Sequence, residues 1–250
     1  MILNLEGTSG DVVVDTVACT VDVSGATDTQ LFIKGTADAR DDLDALAGAL
    51  GACAAWTLAG GGLYIQSPGL TDEDLAQIQG LSRVFVLDLT GARIQGNGLR
   101  HLAGYTSLRE LYLQTNKIRD LNPLARLEHL RKLALNANPL QDIGPLASLV
   151  GLSQLDLTQC GIHSLEPLSS LQTLTHLNAA TNQLEDLSAI RTLAELRHLD
   201  LWGNQIHDLT PLSNLFQLRH LNLSANHIAD LNPLTNLRQL RTLRLDANRI

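Results

Sequence analysis

The sequence predicts an α/β solenoid: short parallel strands form a curved sheet, turns or short 3₁₀ segments return on the convex side, and an α/β cap precedes them. Three observations support this fold class. Apolar residues recur with a period of 22 from Leu108 onward. Each copy contains a short alternation of apolar and polar residues, which is typical of a strand. Most copies then carry a proline, which cannot donate to a strand ladder. A unit this small must stack on its neighbours.

Six full copies follow one another from Leu108, and a seventh stops at Ile250. The first copy, LRELYLQTNKIRDLNPLARLEH, and the fifth, LRHLDLWGNQIHDLTPLSNLFQ, show the shared pattern L-x-x-L-x-L-x-x-N-x-I/L-x-D-L-x-P-L-x-x-L-x-x. One leucine per copy marks the predicted strand: Leu111, Leu133, Leu155, Leu177, Leu199, Leu221 and Leu243. The prolines of the return turn are Pro123, Pro145, Pro167, Pro211 and Pro233.

This pattern resembles the leucine-rich repeat family, in the 22-residue subclass that contains bacterial internalins and a regulatory subunit of a eukaryotic protein phosphatase. The resemblance covers residues 108–250 strongly. It continues upstream in two looser copies with 24-residue spacing, from Gly60 and Val84. It implies that residues 60–250 form the solenoid, with about two irregular units before the six full repeats and one partial repeat. It also implies recognition of a partner protein, although the fold alone specifies no partner.

Residues 1–59 lack the 22-residue period and are predicted to form an α/β capping region, with a degenerate first repeat from residue 31. VVVDTVACTVDVSG and QLFIKG have the alternating, β-branched content of strands, and ARDDLDALAGALGACAAW has the Ala/Leu spacing of a helix. LTDEDLAQIQGLS, from Leu70, is a further predicted helix with Thr71 as its N-cap. We expect this cap to cover the first rung of the solenoid.

Charge and motifs limit the classes of function. The net charge is -8, and residues 1–107 carry five Lys/Arg against thirteen Asp/Glu, whereas residues 108–250 carry thirteen of each. Because no basic stripe with interleaved aromatic residues occurs, we expect no nucleic-acid partner. No apolar run reaches about 18 residues, so we expect no membrane span. No catalytic or phosphate-binding motif lies in a suitable context, which predicts a non-enzymatic protein without a cofactor.

The two ends of the sequence give further expectations. The segment MILNLEGTSGDVVVDTV lacks the regions of an export signal, which favours a cytoplasmic location, with a specialised secretion system as the alternative. Ile250 interrupts a copy and leaves the rung of Leu243 uncovered. An open parallel edge promotes association. We therefore expect the natural chain to continue or another chain, including a second copy, to cover this edge.

The third, fifth and seventh residues of each copy are predicted to face the concave side. Because parallel strands lie about 4.8 Å apart, His176, His198 and His220 should form a column, with Asp200 and Trp202 beside the middle histidine. An exposed tryptophan among His, Arg and Asp has the composition of an interface hot spot. The predicted partner-binding residues are Tyr112, Lys132, Asp156, His176, Asn178, His198, Asp200, Trp202, His220, Asn222 and Arg244.

Three functional hypotheses follow from this face. The first is a protein-interaction module centred on Trp202, whose affinity varies near pH 6 to 7 if the histidines take part. The second is the recognition domain of a larger bacterial effector or enzyme, with catalysis outside residues 1–250. The third is a transition-metal site formed by His176, His198 and His220, with Asp200 as a further ligand or its partner; its rival is simple duplication of an Arg-His-Leu segment. Trp202 also has a structural interpretation, in which the indole lies flat and shields a thin rung.

The ninth residue of each copy is asparagine, except in the third copy, where it is Cys160. A buried amide at this position is predicted to bond neighbouring backbone groups and hold the turn after the strand. We interpret the thiol as a tolerated substitution rather than a reactive cysteine, because nothing near it in the sequence would lower its pKa.

Overall fold

The computed structural model describes residues 2–6, 13–15, 20–22, 30–34, 63–66, 72, 75 and 86–250. The chain divides into two compact units, Met1–Lys117 and Ile118–Ile250. The predicted helix ARDDLDALAGALGACAAW lies outside the described residues, and of the helix predicted from Leu70 only Asp72 and Leu75 are described, both in helical conformation. Within the described part of the chain, no helix has the length and apolarity needed to cross a membrane.

The first unit contains a sheet of five strands among its described residues: β1 (Ile2–Glu6), β4 (Gln30–Lys34), β5 (Leu63–Gln66), β6 (Val86–Asp88) and β7 (Glu110–Tyr112). β1 pairs antiparallel with β4, and β4 to β7 follow in parallel. A separate antiparallel pair joins β2 (Val13–Asp15) to β3 (Thr20–Asp22). β2, β3 and β4 lie in segments that were predicted as strands, whereas β1 was not predicted.

The two looser copies of the first unit differ in register. Leu87 of β6 lies opposite Leu111 of β7, a 24-residue offset, whereas Ile65 of β5 lies opposite Leu87, a 22-residue offset. The predicted 24-residue spacing is therefore confirmed between β6 and β7 and wrong between β5 and β6. A shift of two residues keeps the same side chains on the same face of a strand. The longer β6 to β7 connection contains the eight-residue 3₁₀ helix η1 (Asn97–Gly104), which takes up the additional length.

The second unit consists of parallel strands at 22-residue offsets, as the period predicts. Leu133 lies opposite Leu155, Leu177 lies opposite Leu199, and the same register continues to Leu243. Each strand has three residues, with its central leucine facing inward. The strands are β8 (Lys132–Ala134), β9 (Gln154–Asp156), β10 (His176–Asn178), β11 (His198–Asp200), β12 (His220–Asn222) and β13 (Thr242–Arg244).

Short 3₁₀ helices form the return of every full copy, as the prolines predicted. They are η2 (Asn122–Arg126), η3 (Gly144–Ser148), η4 (Glu166–Ser170), η5 (Ser188–Thr192), η6 (Thr210–Leu212) and η7 (Asn232–Leu234). In five of these six helices an aspartate two residues earlier accepts the first N–H of the helix, as Asp186 does from Ser188 at 2.8 Å, and in η4 the Ser164 hydroxyl does so at 3.1 Å. The bond to Asp186 also explains why η5 forms although Ala189 replaces proline. Each helix buries one leucine or isoleucine against the strand layer, such as Leu168 and Ile190.

The turn after each strand is held by a buried asparagine. In the fourth copy, the Asn182 Oδ1 accepts from the N–H groups of Cys160 and Ile162, both at 3.1 Å, and its Nδ2 donates to the Leu157 carbonyl at 2.9 Å. Asn204 and Asn226 make the equivalent bonds one and two rungs further on. The predicted role of the asparagine is therefore confirmed at each of these rungs.

Cys160 takes the asparagine position in the third copy and keeps one of its bonds. The Cys160 Sγ lies 3.3 Å from the Leu135 carbonyl, the counterpart of the bond from Asn182 to Leu157. The side chain is 1% exposed, and burial raises the pKa of the thiol to about 11. A thiol with a raised pKa is a poor nucleophile at neutral pH, so the structure favours the tolerated substitution.

Candidate interaction face

The open face of the second unit consists of the third, fifth and seventh side chains of the copies, on the side of the sheet opposite the leucines. In β10, β11 and β12 the first and third strand residues are half-buried, whereas the central leucine is buried. This alternation follows from the two-residue period of a strand. The residues predicted for partner binding from Lys132 to Arg244 therefore lie in columns on adjacent rungs.

Three histidines form a stack on this face. His176, His198 and His220 lie opposite one another on β10, β11 and β12. The ring centroids of His176 and His198 are 4.1 Å apart with 10° between the ring planes, and those of His198 and His220 are 4.4 Å apart with 17° between them. The strand spacing thus places the rings in face-to-face contact. Ring stacking was not foreseen from the sequence, which predicted only the column.

The hydrogen bonds of Thr175 determine which nitrogen of His176 carries a proton. The Thr175 hydroxyl donates to the Ser153 carbonyl at 2.9 Å, so its oxygen accepts from the Nδ1–H of His176, also at 2.9 Å. Nε2 of the neutral ring is then an acceptor. At the other end of the stack, the His220 Nδ1 is 3.1 Å from the Thr242 hydroxyl.

The environment of His176 and His198 favours their neutral forms. Burial lowers the pKa of His176 below its usual 6.5, and Arg197, His220 and Lys132 lower it further by charge repulsion. Burial likewise lowers the pKa of His198, followed by the charges of His176, His220 and Arg219. Titration of these two rings is therefore expected below pH 6.5, towards the acid side of the range predicted from the sequence.

In the third to sixth copies, the fifth residue holds the turn that follows the strand. The Asp200 Oδ1 accepts from the Trp202 N–H at 3.0 Å, and the Asp200 Oδ2 accepts from the Asn222 Nδ2 at 3.2 Å. Asp156 bonds Thr158, and Asn178 bonds Ala180, in the same way. Acceptance of a turn N–H by the fifth residue was not predicted, although a recurrent Asp or Asn two residues before a turn residue indicates such a bond.

Trp202 is exposed, with 46% of its surface accessible. Its backbone is held on both sides, because its N–H donates to Asp200 and its carbonyl accepts from the Thr181 N–H at 2.6 Å. The next residue, Gly203, has a φ of 67°, a left-handed conformation that costs glycine little. The other copies of the second unit place non-glycine residues here, such as Thr181 and Ala225. The indole is thus attached to a well-defined turn.

The remaining predicted residues lie at the ends of the columns. Lys132 is half-buried on β8, and Arg244 is exposed on β13. Leu243, the central residue of β13, is 41% exposed, which leaves this rung open to solvent. Tyr112 belongs to the first unit, where its hydroxyl donates to the Glu110 Oε2 at 2.6 Å and burial raises its pKa.

The stack does not have the geometry of a metal site. The nitrogen lone pairs of an imidazole lie in the ring plane, so in face-to-face rings they run side by side, whereas metal ligands must converge on one point. Within the described residues, no group of three or more His, Cys, Asp and Glu side chains has an arrangement that could hold a metal ion. The metal hypothesis thus gains no support from this part of the chain.

The 22-residue register, the recurrent buried asparagine of the turns and the 3₁₀ returns define a leucine-rich repeat protein. A family model for leucine-rich repeats in two copies matches residues 172–214. The solved structure of internalin C2 from Listeria monocytogenes is 32% identical, with a TM-score of 0.63 over 72% of this chain and 76% of that chain. The chain belongs to the internalin-like family of leucine-rich repeat proteins.

Two further structures share the fold. An internalin (inlF) from Listeria monocytogenes is 23% identical, with a TM-score of 0.63 over 89% of this chain and 67% of that one. A leucine-rich repeat protein from Leptospira interrogans is 20% identical, with a TM-score of 0.55 over 76% of this chain and 59% of that one. The search of curated proteins gave no significant match. Leucine-rich repeat proteins are in general non-catalytic modules for protein–protein interaction.

Proposed function

We propose that the chain binds a protein partner through the open face of its second unit, with Trp202 as the anchor. The observation that carries this proposal is the exposure of Trp202 on the same rung as His198 and Asp200. An indole with 46% of its surface accessible is only partly covered by the repeat. In the alternative structural interpretation, the indole of Trp202 lies flat and shields a thin rung. That interpretation does not account for the accessible surface. Contact with a partner would bury it.

The surroundings of Trp202 suit an interface hot spot. Tryptophan is among the residues that most often dominate binding energy, and it does so where polar neighbours exclude water around it. Here the polar neighbours are the half-buried His198 and Asp200. The fixed turn between Asp200 and Gly203 lowers the entropy lost on binding, because the backbone is ordered before the partner arrives.

The proposal is tested by affinity capture from cell lysate with the wild-type chain and Trp202→Ala, followed by mass spectrometry and titration of the captured partner. Hot-spot substitutions cost about 2 kcal/mol or more, which is roughly a 30-fold loss of affinity. Phe216→Ala is the matched control, because Phe216 is 51% exposed but lies in the turn before β12. We expect this variant to bind like the wild type.

Circular dichroism of each variant separates loss of binding from loss of folding. A Trp202→Ala chain that is folded and retains its captured partners at unchanged affinity would remove the basis of the proposal. Loss of affinity in Phe216→Ala to the same extent would place the contact on a different surface.

A further inference from the structure

The histidine stack lies beside a ladder of arginines. The second residues of the last three copies are Arg197, Arg219 and Arg241. Their backbones are hydrogen-bonded rung to rung, from the Arg219 N–H to the Arg197 carbonyl at 2.9 Å and from the Arg241 N–H to the Arg219 carbonyl at 2.7 Å. The three arginines therefore recur on adjacent rungs, one residue before His198, His220 and Thr242.

The charges that act on His176 and His198 are all cationic. Arg197 and Lys132 act on His176, and Arg197 and Arg219 act on His198, together with the other imidazoles of the stack. The carboxylates of this face are Asp156 and Asp200 in the fifth column, which already accept hydrogen bonds from the turns, and Asp246 in the seventh column, which accepts from the Ser224 hydroxyl at 3.3 Å. The ionisable groups that the flanking strands β8, β9, β11 and β13 add to the face are Lys132, Asp156, Asp200 and Arg244.

We propose that the stacked histidines and the ladder of Arg197, Arg219 and Arg241 bind a carboxylate-rich segment of the protein partner, and that this binding takes up protons from solvent. The inference rests on the proposed function, because it assigns a chemistry to one part of the same face. Its basis is charge complementarity: cationic side chains on three successive rungs match carboxylates of an acidic segment that crosses the strands. Arginine binds carboxylates in a bidentate manner.

Proton uptake follows from the hydrogen bonds of the stack. In neutral His176 the proton is on Nδ1 and bonds Thr175, so Nε2 presents a lone pair that repels a carboxylate. When Nε2 gains a proton from solvent it becomes a donor, and the bound carboxylate compensates the new positive charge. The proton therefore adds to Nε2 without breaking the bond to Thr175.

The linkage between carboxylate binding and proton uptake determines the direction and the size of the pH dependence of affinity. Because the bound state holds more protons than the free state, affinity must rise as the pH falls through the titration of the histidines. One proton taken up changes the dissociation constant by up to about tenfold per pH unit. Above about pH 7.5 only the arginines contribute to binding, and the pH dependence disappears.

The test uses a fluorescent peptide of alternating Glu and Gly, with its Gln-for-Glu counterpart as the uncharged probe, titrated between about pH 7.5 and 5.5 at about 0.15 M salt. His198→Gln removes the titrating ring, and Arg219→Gln removes a cation. Their matched controls are His163→Gln and Arg191→Gln, because both residues are exposed and lie outside the stack and the ladder. The imidazole pKa values are followed by NMR with and without the peptide.

We expect the Glu peptide to bind more tightly as the pH falls and to raise the pKa values of the stacked imidazoles. His198→Gln should flatten the pH dependence, Arg219→Gln should weaken binding at every pH, and the controls should behave like the wild type. Absence of Glu-peptide binding, equal binding of the Gln peptide, or unchanged imidazole titration would each overturn the inference. The proposed function survives any of these results if Trp202→Ala still loses the captured partner.

Discussion

Asn182 provides the most direct test of how the turns are held. Replacing it with alanine withdraws the hydrogen-bonding partner of three main-chain groups: the N–H groups of Cys160 and Ile162 and the carbonyl of Leu157. Its two other partners, the carbonyls of Ala179 and Ala180, keep bonds from Asn204 and from the Gln159 N–H. An unsatisfied buried polar group costs about 1 to 3 kcal/mol. At the lower figure, Asn182→Ala should lower the free energy of unfolding by about 3 kcal/mol.

Cys160→Ala is the matched comparison, because it removes the side chain at the same position one rung earlier. The thiol contributes one weak bond, from its Sγ to the Leu135 carbonyl, besides a longer contact to Thr158. We expect a loss of about 1 kcal/mol, since a thiol is a weak donor and the volume removed is small.

Urea unfolding followed by circular dichroism measures both losses. If hydrogen bonds hold the turns, the loss in Asn182→Ala should exceed that in Cys160→Ala by about 2 kcal/mol. Equal losses, or a loss below about 1 kcal/mol in Asn182→Ala, would show that the asparagine ladder contributes little beyond filling space. The conclusion that its hydrogen bonds hold the turns would then be wrong.

Three further predictions concern the backbone, the histidines and the thiol. Thr181 has a φ of 55°, so Thr181→Gly should raise the free energy of unfolding by about 1 kcal/mol and Gly203→Ala should lower it by a similar amount, both measured in urea. The pKa values of His176 and His198 lie below 6.5, so the unfolded chain binds protons first and the free energy of unfolding should fall as the pH drops through 6.5. His198→Gln should reduce that fall. An unchanged pH profile of stability in this variant would contradict the lowered pKa of His198. In a chain that carries Cys19→Ser and Cys53→Ser, the buried Cys160 thiol, with a pKa of about 11, should react with a thiol reagent at pH 7.5 only as fast as the chain unfolds, and immediate labelling would exclude the buried thiol.

Most of the repeat architecture could be predicted, because in a solenoid local pattern and long-range contact coincide. The leucine of each copy determines both the strand and its partner 22 residues away, so β8 to β13 follow from the period alone. β1 could not be found in this way. It pairs antiparallel with β4 and has no counterpart in the repeat, so no internal periodicity marks it.

The candidate site was predictable only in part. The columns follow from period and register, and they place the three histidines together. The proton position on His176 depends on the Thr175 hydroxyl, which is already committed to the Ser153 carbonyl. Thr175 occupies the position that is arginine in the next three copies, so the repeat pattern gave no indication of this bond. Such details arise where one copy departs from the consensus.

The hydrogen bonds of the open face indicate where partner specificity can reside. On four consecutive rungs the fifth column supplies an oxygen to the turn, from Asp156, Asn178, Asp200 and Asn222, so folding restricts the residue types on these rungs. Ala134 and Arg244 occupy the same column on β8 and β13 and make no such bond. The third column has no such common bond and varies from lysine through glutamine and histidine to threonine. The seventh column varies more widely still, from Ala180 to Trp202 and Asp246. Because substitutions in these two columns leave the turn bonds intact, they can change recognition at little cost to stability. The stack and Trp202 lie in these columns, which is where a partner-specific contact is physically easiest to build.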